Sequence, residues 1–419
     1  MTFKGKSKGS GIEFTNDYNR ADILSLKKGV SNPAPKQNEP NKTEPKSDSP
    51  AAAPVSAEPS VQSEASSDKD KVYIVKLTGE FGSDISKIPV RRAIEEAKAK
   101  NAETLIFHID NKWEFYNART GEKSTSATLI GPGINQLLQF EDMSPVFSDE
   151  IQQSWKKQPR IVFWVKQALG GAAFLPFMSR EIYMTSDGRM GGIGGLDLIM
   201  QGNRTVVEKQ RSLRLAHAQG WAIKGGYDPR IVSAMMVVEY VLSYRPVGDG
   251  VEFIERMPET SDEVNLTDAG ESDTTAESVR GRSKAFLTIT PETGRAIRVV
   301  KDIADTEDEL FFKMGIERRV EVVGRSDQIM KSWSSGLERA TKDLRRLWGE
   351  EARTPIEGNY EQRRAARSKR IRAIEQIQDI FKRFGNALND ARQEIEIPAD
   401  PELNTIKEQI RIAQQQDRR

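Results

Sequence analysis

No cysteine occurs anywhere in the sequence, which excludes disulfides, thiolate metal sites and a cysteine nucleophile at once. Histidine is nearly as scarce. His108 and His217 are the only two, so a histidine-based triad has two places to stand. An excess of charge of one sign is lacking as well: 63 Lys and Arg against 62 Asp and Glu leave +1, and no global field draws the chain to nucleic acid. No run reaches the roughly 18 apolar residues of a membrane helix, and residues 1–30 hold basic side chains without the apolar stretch of a secretion signal. As written the chain reads as soluble and unaddressed. A signal or anchor lying upstream would make it periplasmic or membrane-peripheral instead of cytoplasmic.

What is present, 37% hydrophobic and 30% charged residues, implies a folded part beside a strongly solvated one. Residues 1–70 are expected to form an N-terminal region with a proline-rich, disordered tether. Seven prolines from Pro33 to Pro59 stand among Ser, Glu, Lys and Asn, a composition that buries too little apolar surface to offset its ordering entropy.

Residues 71–325 read as one α/β domain. VYIVKLTG from Val72 is a buried-strand run, PVRRAIEEAKAKN from Pro89 an amphipathic helix, and TLIFHID (Thr104–Asp110) a second strand. A helical pattern follows over about Ile130–Phe140, then the strand RIVFWV (Arg160–Val165), a short apolar helix in GGAAFLPFMSR, and the strand EIYM (Glu181–Met184). Strand and helix alternating in this way predict a parallel sheet with helices on its faces. Further helices are expected over Thr205–Ala218 and Pro229–Tyr240, then a hairpin turning at Asp249-Gly250, an acidic Ser/Thr-rich loop over 258–282, and a last αβ piece over Phe286–Ile316. Residues 326–419 read as a helical or coiled-coil tail. Trp333, Leu337, Ala340, Leu344 and Leu347 form one apolar stripe, and Ile371, Ile374, Ile377, Phe381, Phe384 and Leu388 form another.

The order of these blocks resembles the ClpP/crotonase superfamily, and within it the NfeD-like and signal-peptide-peptidase-like (SppA) membrane-associated serine proteases. VYIVKLTGEFGSDIS, VRRAIEEAKAKNAETLIFHID, PRIVFWVKQALGGAAFLPFMSREIYMTSDGRMGGIGG and FLTITPETGRAIRVVKDIADTEDEL carry the likeness over about residues 72–315. The resemblance implies a ClpP/crotonase-like parallel-sheet core, assembly as a homo-oligomer, and a membrane-associated partner. It also implies a serine nucleophile in the turn after the third strand, where this chain has Gly170.

The remaining family positions follow one at a time. Gly170, Gly171 and Ala172, with Gly191 and Gly192, match the oxyanion site and substrate groove, where glycine lets the backbone approach a substrate. The family's Pro-Gly-Gly after the second strand is replaced by NKWEFYN, with Lys112, Trp113 and Glu114 in the turn. The family's lysine base falls near Arg204, which stays protonated, and Lys209, which sits on a polar helix face. His108 alternates inside an apolar strand, as a core histidine would. His217 shares a helix with Lys209, and no serine has the spacing to pair with it. Ser179 and Ser186 are the hydroxyls that a displaced nucleophile would use. In enoyl-CoA hydratases, which share the ALGG turn, two glutamates do the chemistry. Their places here hold Phe174 and Gly194, and Asp197 comes three residues late.

These positions lead to the expectation of a catalytically impaired protease homologue that binds a peptide or protein partner in the former groove, without cofactor or metal. The alternatives are an active serine peptidase with a displaced nucleophile, for which Lys209, Ser186 and His217 are the candidates, and an acyl-CoA-binding crotonase-like protein. GRMGGIGGL lacks the Lys-Ser ending of a phosphate loop and reads as tight turn packing. RRAARSKRIR (Arg363–Arg372) has no interleaved aromatics, so it reads as a solvated helix face and not as a nucleic-acid site.

Overall fold

Every position from Val72 to Val75 is apolar, so this strand needs cover on both faces of its sheet. The computed structural model describes residues 2–6, 13–17, 69–112, 133–192, 203–237, 240–267 and 287–417, and divides into two units, Met1–Glu64 and Ala65–Arg419. In the first unit, β1 (Thr2–Lys6) and β2 (Glu13–Asp17) pair antiparallel, with Thr2 opposite Asp17. The expected tether lies outside the described residues up to position 68.

The second unit is built on a mainly parallel sheet. Its central strands are β3 (Asp70–Glu80), β4 (Thr104–Lys112), β5 (Arg160–Leu169) and β6 (Ile182–Gly191), each parallel to the next. One face presents Tyr73, Val75, Leu77, Phe107 and Val165 to α1 (Lys87–Ala99) and α2 (Gly133–Pro145). The other presents Val72, Ile74, Ile106, Val162 and Trp164 to a smaller cluster that includes Leu310 and Phe311. In α1 the buried residues Val90, Ala93, Ile94 and Ala97 keep one stripe on the sheet.

Pro145 closes α2 with one wider turn over Val146–Glu150, after which α3 (Ile151–Ser154) completes the connection to β5. Proline donates no backbone hydrogen bond, and the helix widens where that bond is missing. The apolar helix expected in GGAAFLPFMSR is instead two short 3₁₀ turns, Gly170–Phe174 and Pro176–Met178. Pro176 is again the interruption.

Next come α4 (Arg204–Gly225), seven residues longer than expected at its C-terminal end, and α5 (Pro229–Met236), which stops four residues short of Tyr240. The Asn203 side chain accepts from the Val206 N–H, and Gly226 ends α4 in the left-handed region at φ +87°. The hairpin is β7 (Ser243–Val247) with β8 (Gly250–Ile254), joined to β9 (Val264–Asn265). Val247 lies opposite Gly250, so the turn is Gly248-Asp249, one residue earlier than expected. Gly248 takes φ +56°, which the first position of a tight hairpin turn demands.

The sheet is completed by β10 (Thr288–Ile289), antiparallel to β6, then α6 (Pro291–Ala296), β11 (Asp302–Ile303), parallel to β6, α7 (Glu307–Met314), and β12 (Val320–Arg325), parallel to β3 at the far edge. The expected α/β class with a parallel-sheet core is what the structure has.

The tail comprises α8 (Asp327–Arg346), α9 (Tyr360–Phe384), α10 (Asn389–Glu394) and α11 (Asp400–Gln416), around a core of its own. Trp333 near the start of α8 meets Phe384 at the end of α9, ring centroids 5.2 Å apart, so these two helices run antiparallel. The Trp333 indole N–H donates to the Ser83 carbonyl and ties the tail to the sheet domain. Within the basic run, Arg363 and Arg367 hold Asp417 and Arg370 donates to the Thr354 carbonyl, so part of that face is packed internally.

Candidate functional site

Ligands of parallel α/β sheets bind beyond the carboxyl ends of the strands, and β4, β5 and β6 bring three such ends together at Asn111, Leu169 and Gly191. β5 ends at Leu169, and Gly170 turns the chain with φ +65° into the first 3₁₀ turn. A residue with a Cβ is strained in that conformation. Gly170, Gly171 and Ala172 are all buried. No side chain here offers a hydroxyl, an amine or an imidazole.

The wall next to the turn is made by Asn111. Its amide nitrogen donates to the Leu169 carbonyl at 3.0 Å, and its amide oxygen accepts from the Leu169 N–H at 3.0 Å. The Gln167 amide nitrogen then donates to the Asn111 carbonyl at 2.8 Å. Asn111 is 1% exposed, so these bonds run without competition from solvent. Sequence reading singled out Lys112, Trp113 and Glu114 at this place and missed Asn111. Lys112 is the last residue of β4, while Trp113 and Glu114 lie outside the described residues.

On the other side, the Gly191 end of β6 is covered by the chain itself. Thr288 pairs with Gly191, and the Gly192 N–H donates to the Leu287 carbonyl at 3.0 Å. A Cβ on Gly191 would stand 2.4 Å from that carbonyl oxygen, which is why glycine is required there. Gly191 and Gly192 thus serve a backbone packing contact with β10.

Beneath the turn lies an aromatic trio. Phe140, Phe174 and Trp221 have ring centroids 4.4 to 5.3 Å apart. Phe174, at the place of a hydratase glutamate, is fully buried in this cluster. Gly194 and Asp197 lie outside the described residues.

The titratable and nucleophilic candidates are dispersed. Lys209 is exposed on α4, and Arg204 pairs with Glu208 on the same exposed face. His217 is half exposed, its Nδ1 3.3 Å from a Glu141 oxygen that α2 supplies, and Glu141 also holds Arg214. Ser186 is exposed, with its backbone N–H donating to Asp305 at 2.6 Å just ahead of α7. Helices α2 and α7 cover opposite faces of the sheet, so His217 and Ser186 are anchored on opposite sides. The Ser179 hydroxyl is consumed by structure: it donates to the Ile161 carbonyl and accepts from the Glu181 N–H. His108 is half-buried and stacks on Trp164, centroids 4.2 Å apart, and burial lowers its pKa. Among the described residues, no group of three or more His, Asp or Glu is poised to hold a metal ion, and no helix is long and apolar enough to cross a membrane.

A mainly parallel sheet whose third strand runs into a buried glycine turn is the arrangement expected of a ClpP-like chain. No protein-family model matches this sequence, and no curated protein matches it. Among solved structures it is similar to the 1510-N membrane-bound stomatin-specific protease, as a lysine-to-alanine mutant in complex with a substrate peptide. That match has 13% identity and a TM-score of 0.34, over 61% of this chain and 92% of the other. A serine-to-alanine mutant of the same protease matches at 14% identity and a TM-score of 0.34, over 61% and 93%. The 1510-N membrane protease specific for a stomatin homolog from Pyrococcus horikoshii matches at 13% and 0.32, over 63% and 98%. These are NfeD-like ClpP-class proteases, the class that the sequence blocks resemble.

Proposed function

We propose that this chain is a catalytically impaired homologue of the NfeD-like ClpP-class proteases that binds a peptide or protein partner beside the turn Gly170–Ala172. The observation that carries the reading is Gly170 itself. At the end of β5, where the resemblance requires a serine, stands a buried residue without a side chain, in a backbone conformation that disfavours one. The positions of Lys209, Ser186, His217 and Ser179 support it, since a nucleophile needs a base within hydrogen-bond reach and each of these is engaged or exposed elsewhere. The class of ligand comes from the sequence resemblance.

The test uses the full chain with a diverse peptide library. Cleavage is read by mass spectrometry and retention by affinity selection. Retention without cleavage is the expected outcome. Cleavage that disappears on Ser186→Ala or Lys209→Ala would establish a displaced catalytic centre instead. Saturable binding of a CoA thioester without peptide retention would transfer the site to acyl-CoA chemistry.

A further inference from the structure

The segment that runs from α6 into β11 lines a surface cavity of about 640 Å³, the size of a small-molecule site. Its charge is one-sided: Arg295, Arg298 and Lys301 stand against a single acid, Glu292. Ala296, Val300 and Ile303 supply the apolar part of the wall. Two carboxylates near the lining do not cancel the three cations, because each is held more closely by another residue. Glu181 takes two hydrogen bonds from Arg160, at 2.9 and 2.7 Å, and meets Lys301 at 3.3 Å. Asp302 is held by Lys313 at 2.8 Å, with Arg295 at 3.8 Å. Arg298 has no carboxylate partner among the described residues.

The backbone presents that free guanidinium at a cost. Arg298 takes φ +61° just beyond the end of α6, a place and a conformation that favour glycine because a Cβ is strained there. Its surroundings fix the strained turn. The Val299 and Val300 N–H groups both donate to the Gly294 carbonyl at 2.9 Å, and the Lys301 N–H donates to the Ile182 carbonyl at 2.7 Å. A strained residue held by a firm surround points to a use for its side chain. The planar fork of arginine suits an oxyanion, which it can grip through two N–H groups at once.

We propose that this cavity binds a small phosphate monoester, with the phosphate on Arg295, Arg298 and Lys301 and the organic part on Ala296, Val300 and Ile303. Three positive charges and one negative leave the lining a surplus of two, and a phosphate monoester carries about −1.5 to −2 near neutral pH. Glu292 repels a second anionic group, so the ligand is charged at one end only. The cavity adjoins the start of β6, where Lys301 meets Ile182, whereas the glycine turn adjoins the other end of that strand at Gly191. The two sites are therefore separate, and neither reading depends on the other.

Calorimetric titration of the full chain with phenyl phosphate, in phosphate-free buffer, should show saturable binding that weakens with added salt. Phenol, which lacks the anion, and benzoate, which carries a single charge, should bind far more weakly. Arg298→Gly should weaken binding of phenyl phosphate by about tenfold or more, since a charge-assisted hydrogen bond is lost. Its unfolding midpoint should stay level or rise, since glycine relieves the strained φ. Arg295→Gln, which leaves that turn unaltered, should weaken binding as well. No saturation by phenyl phosphate at millimolar concentration overturns the proposal, as does binding that survives both substitutions. Phenol or benzoate bound as tightly as phenyl phosphate would overturn the phosphate class. Sedimentation with phosphatidic acid vesicles separates the lipid source: retention on them without binding of free phenyl phosphate would overturn a small-molecule site.

Discussion

The side-chain amide of Asn111 spans both backbone groups of Leu169, accepting from its N–H and donating to its carbonyl at 3.0 Å each. A strand end normally leaves such groups to solvent or ligand. Here a neighbouring strand fills both with one side chain, one residue before the chain turns at Gly170.

Asn111→Ala should therefore lower stability by about 2–4 kcal/mol, since it orphans a buried donor and a buried acceptor together. Asn111→Asp should cost a similar amount, because it presents a second oxygen to the Leu169 carbonyl where a donor stood. Urea unfolding checks this. The midpoint should fall with little change in slope, as expected when the native state alone is weakened.

Gly170→Ser should not create a peptidase. The left-handed φ of +65° costs a residue with a Cβ roughly 1–2 kcal/mol. The new hydroxyl would find His217 held on Glu141 and Lys209 exposed on α4. A lower unfolding midpoint and silence toward peptides and serine-directed probes are expected. Turnover by this variant would show that a base lies in reach.

Glu263 links acid sensitivity to the β7–β8–β9 sheet. Its carboxylate accepts from both terminal nitrogens of Arg256 at 2.7 and 2.9 Å and from the Glu259 N–H at 2.7 Å. These bonds, the Arg256 pair foremost, pull its pKa down to about 2. A depressed carboxylate contributes stability above its unfolded value of roughly 4.3, and the contribution is lost as pH falls from there through the folded value. The difference in unfolding midpoint between the unaltered chain and Glu263→Gln should thus be steady near neutral pH and shrink between about pH 4.5 and 2.

Asp417 pins the end of α11 to α9. Arg363 forms two hydrogen bonds to it at 2.8 and 2.9 Å, and the nearly buried Arg367 adds a third, which together hold its carboxyl far below the usual range. Asp417→Asn should leave the Arg367 guanidinium buried without its charge partner. Faster hydrogen exchange in the last turns of α11, with the sheet domain unchanged, is the expected reading.

The strand and helix order of the sheet domain was legible because its cores are periodic. Apolar runs at Val72, Leu105 and Ile161 need cover on two faces, and the Ala/Ile spacing after Pro89 needs cover on one. Less legible was where elements end. The length of α4 rests on Gly225 packing against the Phe177 backbone, and the hairpin register on which of Gly248 and Gly250 takes positive φ. Asn111 carried no local signal at all, since an amide at a strand end reads as a surface residue until the strand beside it is known.

By itself the sequence determined the class of fold, the absence of cysteine chemistry, and the glycine pair that follows the third strand of the sheet domain, because each follows from residue identity and short-range period. The tertiary structure decided the rest, because it depends on which distant segments share space. It closed the Gly191 end of β6 with Leu287–Ile289, engaged Ser179 in backbone bonds, and placed His217 on Glu141. It also left one apolar face of α4 turned to solvent. Residues separated by tens of positions in the chain meet only when the sheet assembles, and no pattern read along one dimension contains that meeting.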